Sequence, residues 1–192
     1  MKMTIEYPGS EFSVPGQYAI ITTDGPEYER VYPVCEFDSK RFTIVFRTDT
    51  SDAAKELAIL ETGDEVKVQT GLGNGYDVDA IPDGAYLVAD ADGIPQMLGL
   101  MRELLVRGKA YSLILGYSTK DRVFMLDTFR NLCNNIEILT ADGSNGRQGK
   151  ADDAIRNAEY VCAAGSVEML DRLAAKSRSG QFNLDGMNIT KW

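Results

Sequence analysis

The sequence predicts a small antiparallel β-barrel over residues 1–80, followed over residues 85–192 by an α/β domain whose parallel sheet is of the nucleotide-binding type. Three observations predict it. As far as EVKVQT the chain is a run of short segments rich in β-branched and aromatic residues, parted by Gly, Pro and Asp, the pattern of strands in a small barrel. After AIPDGA, whose Pro82 and Gly84 mark a linker, apolar strands alternate with longer helical segments. These later strands are apolar almost throughout, which calls for cover on both faces and hence a parallel sheet between helices.

In the first part the strands are YAIITT, RVYPVCEF, RFTIVFRT and EVKVQT. SDAAKELAIL, before the last of them, has apolar residues at helical spacing, with Ser51 or Asp52 placed to cap it, so one short helix is expected to cross the barrel. In the second part AYLVADA, AYSLILGYS, NIEILTA and EYVCAAG alternate with helices at PQMLGLMRELLVRG, KDRVFMLDTFRNLC, KADDAIRNA and SVEMLDRLAAKS. Met97, Leu98, Met101, Leu104 and Leu105 form one stripe of the first helix and are read as core. Ligands of such sheets bind beyond the carboxyl ends of the strands, which directs attention to the loops ADADGIP, YSTKD, TADGSNGRQG and AAGS.

Composition removes several classes of function. With 29 Asp+Glu against 20 Lys+Arg the net charge is -9, which repels a polyphosphate backbone and leaves no basic patch for nucleic acid. No apolar stretch approaches the roughly 20 residues of a membrane span, and the start MKMTIEYPGSEF lacks a signal-peptide core, so a cytoplasmic protein is expected. The chain has no histidine, which excludes His-based triads and His metal sites. Cys35, Cys133 and Cys162 are scattered and are expected to be buried, reduced thiols; no metal site is expected.

Local motifs then narrow the reading. VPGQYAII (residues 14–21) resembles the PGQF strand of the ferredoxin-reductase-like flavoproteins, and RVYP (30–33) their Arg-x-Tyr-Ser flavin motif. GDEVKVQTGLGNGY (63–76) is similar to GDxVxVxGPLGNGF, TADGSNGRQGKADDAI (140–155) to TxDGSxGxxGxVTDxL, and YVCAAGSVEML (160–170) to VYACGPxxML. QFNLDGM (181–187) resembles the run that precedes the iron–sulfur cysteines in the dihydroorotate dehydrogenase electron-transfer subunit. The six stand in this order across nearly the whole chain.

The resemblance implies a flavoprotein-type electron-transfer oxidoreductase domain, with a dehydrogenase catalytic subunit or a second copy of the chain as partner. It implies FAD or FMN held by Arg30, Tyr32 and Pro33 against Gly71, Gly73 and Asn74, the cation pairing with phosphate and the ring packing on the flavin. Pro33 stands where the family has Ser, so a hydroxyl and a backbone donor are missing. Ser51, Asp52, Ala53 and Ala54 replace the Gly-x-Gly-Thr turn that holds the flavin pyrophosphate, and Asp52 is read as a helix cap. For NAD(P) the implied contacts are Gly93, Pro95, Asp142, Gly143, Ser144 and Gly165. However, Asp90 and Asp92 interrupt the family's GGGxGxxP loop, and Ala164 and Ser166 replace its Cys and Pro, which weighs against NAD(P). The chain ends at Thr190, Lys191 and Trp192 where cluster cysteines would begin, so no iron–sulfur cluster is expected. The short segment before PGQY leads us to expect a barrel shortened at its N-terminus.

Two other readings compete. LVADADGI resembles the DxDG loop of haloacid-dehalogenase-like phosphatases, in which Asp90 would be the nucleophile and Asp92 the acid/base beside magnesium, with Ser118 or Thr119 on phosphate. Ile94 in place of Thr and the preceding β-domain speak against it. The replaced glycines favour a cofactor-depleted scaffold that binds partners without catalysis. No catalytic acid or base is assigned.

Overall fold

The structure, a computed structural model, describes residues 1–9, 11–23 and 29–188. The chain end at residues 190–192, used above against a cluster, lies outside them. Five strands, β1 (Lys2–Glu6), β2 (Tyr18–Thr22), β3 (Glu29–Phe37), β4 (Arg41–Val45) and β5 (Lys67–Leu72), form an antiparallel sheet in the order β1-β4-β3-β2-β5. It encloses a core that includes Ala19, Ile21, Tyr32, Val34, Phe42 and Ile44. Before PGQY, where no strand was expected, β1 pairs along its whole length with β4. Polar and apolar residues alternate in KMTIE, and its exposure alternates with them, as in a half-buried strand.

β3 serves two partners. Its residues to Pro33 pair with β2, and from Val34 onward it pairs with β4, with a register shift between Val34 and Glu36. Pro33 stands at this changeover, a place in a sheet that tolerates a residue without an amide donor. The short helix α1 (Asp52–Ile59) runs as expected, and Ser51 rather than Asp52 caps it, its Oγ accepting from Ala54 N at 3.1 Å. Asp52 instead pairs with Lys55 at 2.8 Å. The helix buries Ala54 and Leu57 in the same core.

The second sheet is parallel throughout. Its strands are β6 (Ala85–Asp90), β7 (Tyr111–Tyr117), β8 (Ile136–Thr140), β9 (Arg147–Gln148), β10 (Tyr160–Gly165) and β11 (Asn183–Asn188), in the order β11-β10-β6-β7-β8-β9. From β6 the chain first winds outward through β7 to β9 and then returns to β10 on the other side. The topological switch point therefore lies between β6 and β10. Strands β9 and β11 were not expected; the first is only a two-residue pairing inside the DGS-containing loop, and the second is the QFNLDGM run.

Of the four helices expected here, α2 (Gln96–Val106) and α4 (Val167–Arg178) form in full, whereas α3 is only Leu126–Arg130 and residues 151–153 make a single 3-10 turn. Met125, at φ 59°, interrupts the first of these runs immediately before Leu126, whereas in the second Asn157, at φ 52°, lies beyond the end of the 3-10 turn. Leu105, assigned above to the core stripe of α2, is 45% exposed, while Met97, Leu98, Met101 and Leu104 are buried. Of the cysteines, Cys35 and Cys162 are buried free thiols and Cys133 is half-buried. Burial, with Glu36 beside it, pushes the Cys35 thiol up to about 12.

The two sheets share a core. Helix α2 crosses β3 so closely that a Cβ on Gly99 would lie 2.7 Å from the Cys35 carbonyl oxygen. Tyr76, in the connection between the sheets, is fully enclosed and donates its hydroxyl to the Ala163 carbonyl of β10 at 3.0 Å. Tyr76→Phe removes that bond with little change in shape and is expected to cost about 1 kcal/mol, read as a lower urea midpoint at unchanged m.

Candidate functional site

Arg30 and Tyr32 point to the same side of β3, two residues apart, and both line a cleft of about 520 Å³ bounded also by Val45, Phe46, Thr50 and Asp92. Pro33 borders it too. The Arg30 guanidinium donates to Ser51 Oγ, lies 3.9 Å from an Asp92 carboxylate oxygen, and has its central carbon 5.9 Å from the centre of the Tyr32 ring. Arg30 is 30% exposed along its side chain, whereas Tyr32 is 3% exposed and meets the Phe46 ring edge-on at 5.4 Å. Burial raises the Tyr32 phenol above its ordinary value, and the Arg30 charge offsets part of the rise.

The Tyr32 hydroxyl is buried without a hydrogen-bond partner among the described residues. A buried polar group left unpaired costs about 1–3 kcal/mol, so such a group beside a cleft is what a ligand acceptor would satisfy. The cleft falls within the volume range of small-molecule and cofactor sites. A guanidinium, an unpaired hydroxyl and apolar walls together fit a flat anionic cofactor; Asp92, competing for Arg30, opposes it, and Glu29 adds a second carboxylate to the lining.

The GLGNG loop stands elsewhere. Gly71, Gly73 and Gly75 all have positive φ and pack against Glu11, Tyr18 and Val14 respectively, and the Gln17 amide donates to the carbonyls of Gly71 and Gly73 at 3.1 Å each. Asn74 opens on a second cleft, of about 640 Å³, shared with Glu36, Tyr76 and Arg102. These residues hold the β2–β5 corner together, and none of the three glycines nor Asn74 lines the Arg30 cleft.

At the carboxyl ends of the parallel strands lies a crevice of about 390 Å³, bordered by Asp90, Ser118, Lys150, Ser166 and Arg172 among others. Asp90 and Asp92, expected to stand side by side, diverge: Asp92 reaches the Arg30 cleft, while Asp90 turns across the switch point to Ser166. Asp90 Oδ1 accepts from Ser166 N at 2.6 Å and Oδ2 from Ser166 Oγ at 2.7 Å. Gly93 lets its turn lie directly on β10, since a Cβ there would come within 2.2 Å of the Ala164 carbonyl carbon. Pro95 stands at the N-cap of α2 and faces a fourth hollow, with Arg122 and Phe124. Asp142 and Ser144 close a turn of their own: Ser144 Oγ donates to Asp142 Oδ1 at 2.6 Å and accepts from Lys120 N at 2.8 Å, while Gly143 supplies φ 75°. That turn joins the β7 and β8 loops beside the crevice without lining it. Among the described residues no group of three or more His, Cys, Asp or Glu could hold a metal ion, and no helix is long and apolar enough to cross a membrane.

Sequence reasoning missed Asp152. It is 1% exposed and takes two hydrogen bonds from Arg172, at 2.8 and 2.6 Å, with Lys176 Nζ 3.5 Å from its Oδ2. Arg172 and Lys176, four apart on the flank of α4 that adjoins Met169 and Leu173, were the available signal.

An antiparallel sheet wrapped on one core, joined through a shared helix to a parallel sheet whose switch point opens between β6 and β10, defines the ferredoxin-reductase-like class of two-domain proteins. Solved structures agree on the fold. Over 95% of this chain and 69% of its own, an NADH-dependent reduced ferredoxin-NADP oxidoreductase superposes with a TM-score of 0.76 at 21% identity. Full-length CYP116B46 from Tepidiphilus thermophilus matches with a TM-score of 0.76 at 18% identity, covering 100% of this chain, which spans only 27% of that longer one. No family model matches the sequence. Curated relatives do: the electron transfer subunit of dihydroorotate dehydrogenase B (NAD(+)) from Bacillus caldolyticus is 33% identical over 177 residues, 86% of this chain and 68% of the relative. That from Fusobacterium nucleatum subsp. nucleatum is 31% identical over 193 residues, 91% of this chain and 73% of the relative. The chain belongs to the family of dihydroorotate dehydrogenase electron transfer subunits.

Proposed function

We propose that this chain is a flavoprotein-type electron-transfer oxidoreductase domain that holds FAD or FMN in the Arg30–Tyr32 cleft and passes electrons to a dehydrogenase catalytic subunit. Family membership supports the class of activity and partner; the observation that carries the site is Tyr32, whose ring lies under the Arg30 guanidinium and whose buried hydroxyl has no partner among the described residues. When bound, the flavin supplies the one- and two-electron chemistry, and the protein supplies position and electrostatics.

Arg30 has two tasks. In the structure it leans over Tyr32 and shares Asp92 and Ser51; drawn to a ligand phosphate it would keep its charge paired and uncover the ring beneath it. The Tyr32 hydroxyl gains an acceptor in the same movement. Phe46 and Val45 exclude water from the cleft wall. Asp92 sets a limit on affinity, because any phosphate at Arg30 must share the cation with it.

Titration of the purified protein with FAD and with FMN, followed by quenching of flavin fluorescence, tests the reading. Saturable binding is expected, and Arg30→Ala should weaken it about tenfold or more, the scale of a lost charge-assisted hydrogen bond. Protein that is colourless as purified and ignores both flavins would favour the cofactor-depleted scaffold instead.

A further inference from the structure

We propose that Asp90 is a built-in surrogate for a phosphate group: its carboxylate occupies the anion position at the switch point, and the crevice there therefore refuses the pyrophosphate of a nicotinamide dinucleotide. In an open parallel sheet the position that receives a ligand phosphate is the turn leading from a strand into a helix N-terminus, where backbone amides and the helix dipole converge. Here that turn joins β10 to α4, and its donors are already in use. The Ser166 amide donates to Asp90 Oδ1 at 2.6 Å, the Ser166 hydroxyl donates to Asp90 Oδ2 at 2.7 Å, and the same hydroxyl accepts from Met169 N at 3.3 Å.

The contact is prepared from both sides. Gly165 has φ 151°, and a Cβ there would lie 2.0 Å from Asp90 Oδ1, so only glycine leaves room for the carboxylate. Ala91, directly after Asp90, is in the left-handed region at φ 47°, which returns the chain so that Gly93 lies on the end of β10. Net charge is not what closes the crevice, since Arg47, Arg122, Lys150 and Arg172 border it along with Asp90 and Glu168, although Arg47 and Arg122 are both paired with Asp49. Arg172, however, is committed to Asp152 by two hydrogen bonds, and Glu168 adds a second carboxylate in the first turn of α4. A phosphate arriving at this turn would have to expel a carboxylate that is covalently part of the site, at the effective concentration of an intramolecular ligand. The inference is independent of flavin binding in the Arg30 cleft, which is scored by flavin titration alone.

The test follows NADH binding by nicotinamide fluorescence to the full chain and to Asp90→Gly, together with the Ser166 backbone amide by heteronuclear NMR. In the wild-type chain the Ser166 amide should not shift with NADH or inorganic pyrophosphate, and Asp90→Gly should bind NADH at least about tenfold more tightly, because a like charge is removed from the phosphate position. A saturable shift of Ser166 in the wild-type chain would overturn the proposal, as would a folded Asp90→Gly that gains nothing. If Asp90→Gly does not fold, Asp90→Asn, which keeps the shape and loses the charge, is measured in its place, and the wild-type NMR titration decides on its own.

Discussion

Replacing Arg172 with alanine is expected to lower the stability of the protein by about 3 kcal/mol, because it strands the Asp152 carboxylate in the interior with only Lys176 to face. Asp152 is 1% exposed, whereas the side chains of Arg172 and Lys176 are 34% and 33% exposed. The asymmetry decides which partner matters more. With Asp152→Ala the two cations can turn outward to water, so that substitution should cost less than Arg172→Ala, although both break the same hydrogen bonds.

Acid supplies a second check on the same network. Burial alone would raise the Asp152 carboxyl, but the hydrogen bonds and charge of Arg172, with Lys176, more than reverse this and hold it below its ordinary value. A carboxyl depressed in the folded state contributes its stability above the unfolded value, about 3.9, and loses it as pH falls through the folded value. Wild-type stability should therefore fall below about pH 4. The gap between wild type and Arg172→Ala should narrow over the same range, because a protonated Asp152 no longer suffers from losing its partner. Urea unfolding at several pH values reads both effects; a gap that stays constant into acid would show that Asp152 is not the group responsible.

Gly93→Ala is the second substitution with a large expected effect. The new methyl would stand 2.2–2.3 Å from backbone atoms of Ala164 and Gly165, which no side-chain rotation relieves. Either the turn at residues 91–93 lifts from β10 or the strand end moves, and a cost of about 3 kcal/mol is expected, at the upper end for overpacking. Gly108→Ala is the control. Gly108 has φ 67° but nothing within 4 Å of the added Cβ, so only the conformational penalty of about 1 kcal/mol should appear. Equal thermal shifts for the two variants would mean that close approach at Gly93 is not what the glycine provides.

Much of the architecture was legible because it depends on local pattern. The apolar runs at YSLILGY and YVCAAG read as interior strands, and a cap at Ser51 or Asp52 ahead of an apolar helical period reads as the start of a helix. The motifs also placed the chain in its family, since each is a short stretch whose order survives substitution. Failures of element assignment were local too: KDRVFMLDTFRNLC has helical composition, yet Tyr117 ties its hydroxyl to the Phe124 carbonyl at 2.9 Å and Met125 takes a left-handed turn, so helix begins only at Leu126. A tertiary hydrogen bond there outweighs a propensity of a few tenths of a kcal/mol per residue.

The candidate site was legible as residue types, not as a constellation. Arg30 and Tyr32 share a face because a strand repeats every two residues, and that much follows from RVY alone. Whether GLGNG joins them depends on how the β2–β5 corner folds, and Gln17, bonded to two carbonyls of that loop, turns it the other way. The carboxylates of ADADG were visible as charges, but not their destinations: Asp92 lies across the cleft from Arg30, and Asp90 crosses to a serine 76 positions later.

By itself, then, the sequence determined the change from a β part to alternating strands and helices, most of the apolar positions that build two sheets, and the absence of any histidine chemistry, because each of these is set by composition or by neighbours within a turn or a strand. Only the tertiary structure decided which polar groups meet: Arg30 with Asp92 and Ser51, Asp152 with Arg172, Asp90 with Ser166. The physical reason is range. Hydrophobic burial is non-directional and roughly additive, so composition and period forecast it, whereas a hydrogen bond or ion pair exists only within about 3–4 Å and a narrow angle, which is known once the whole chain has folded.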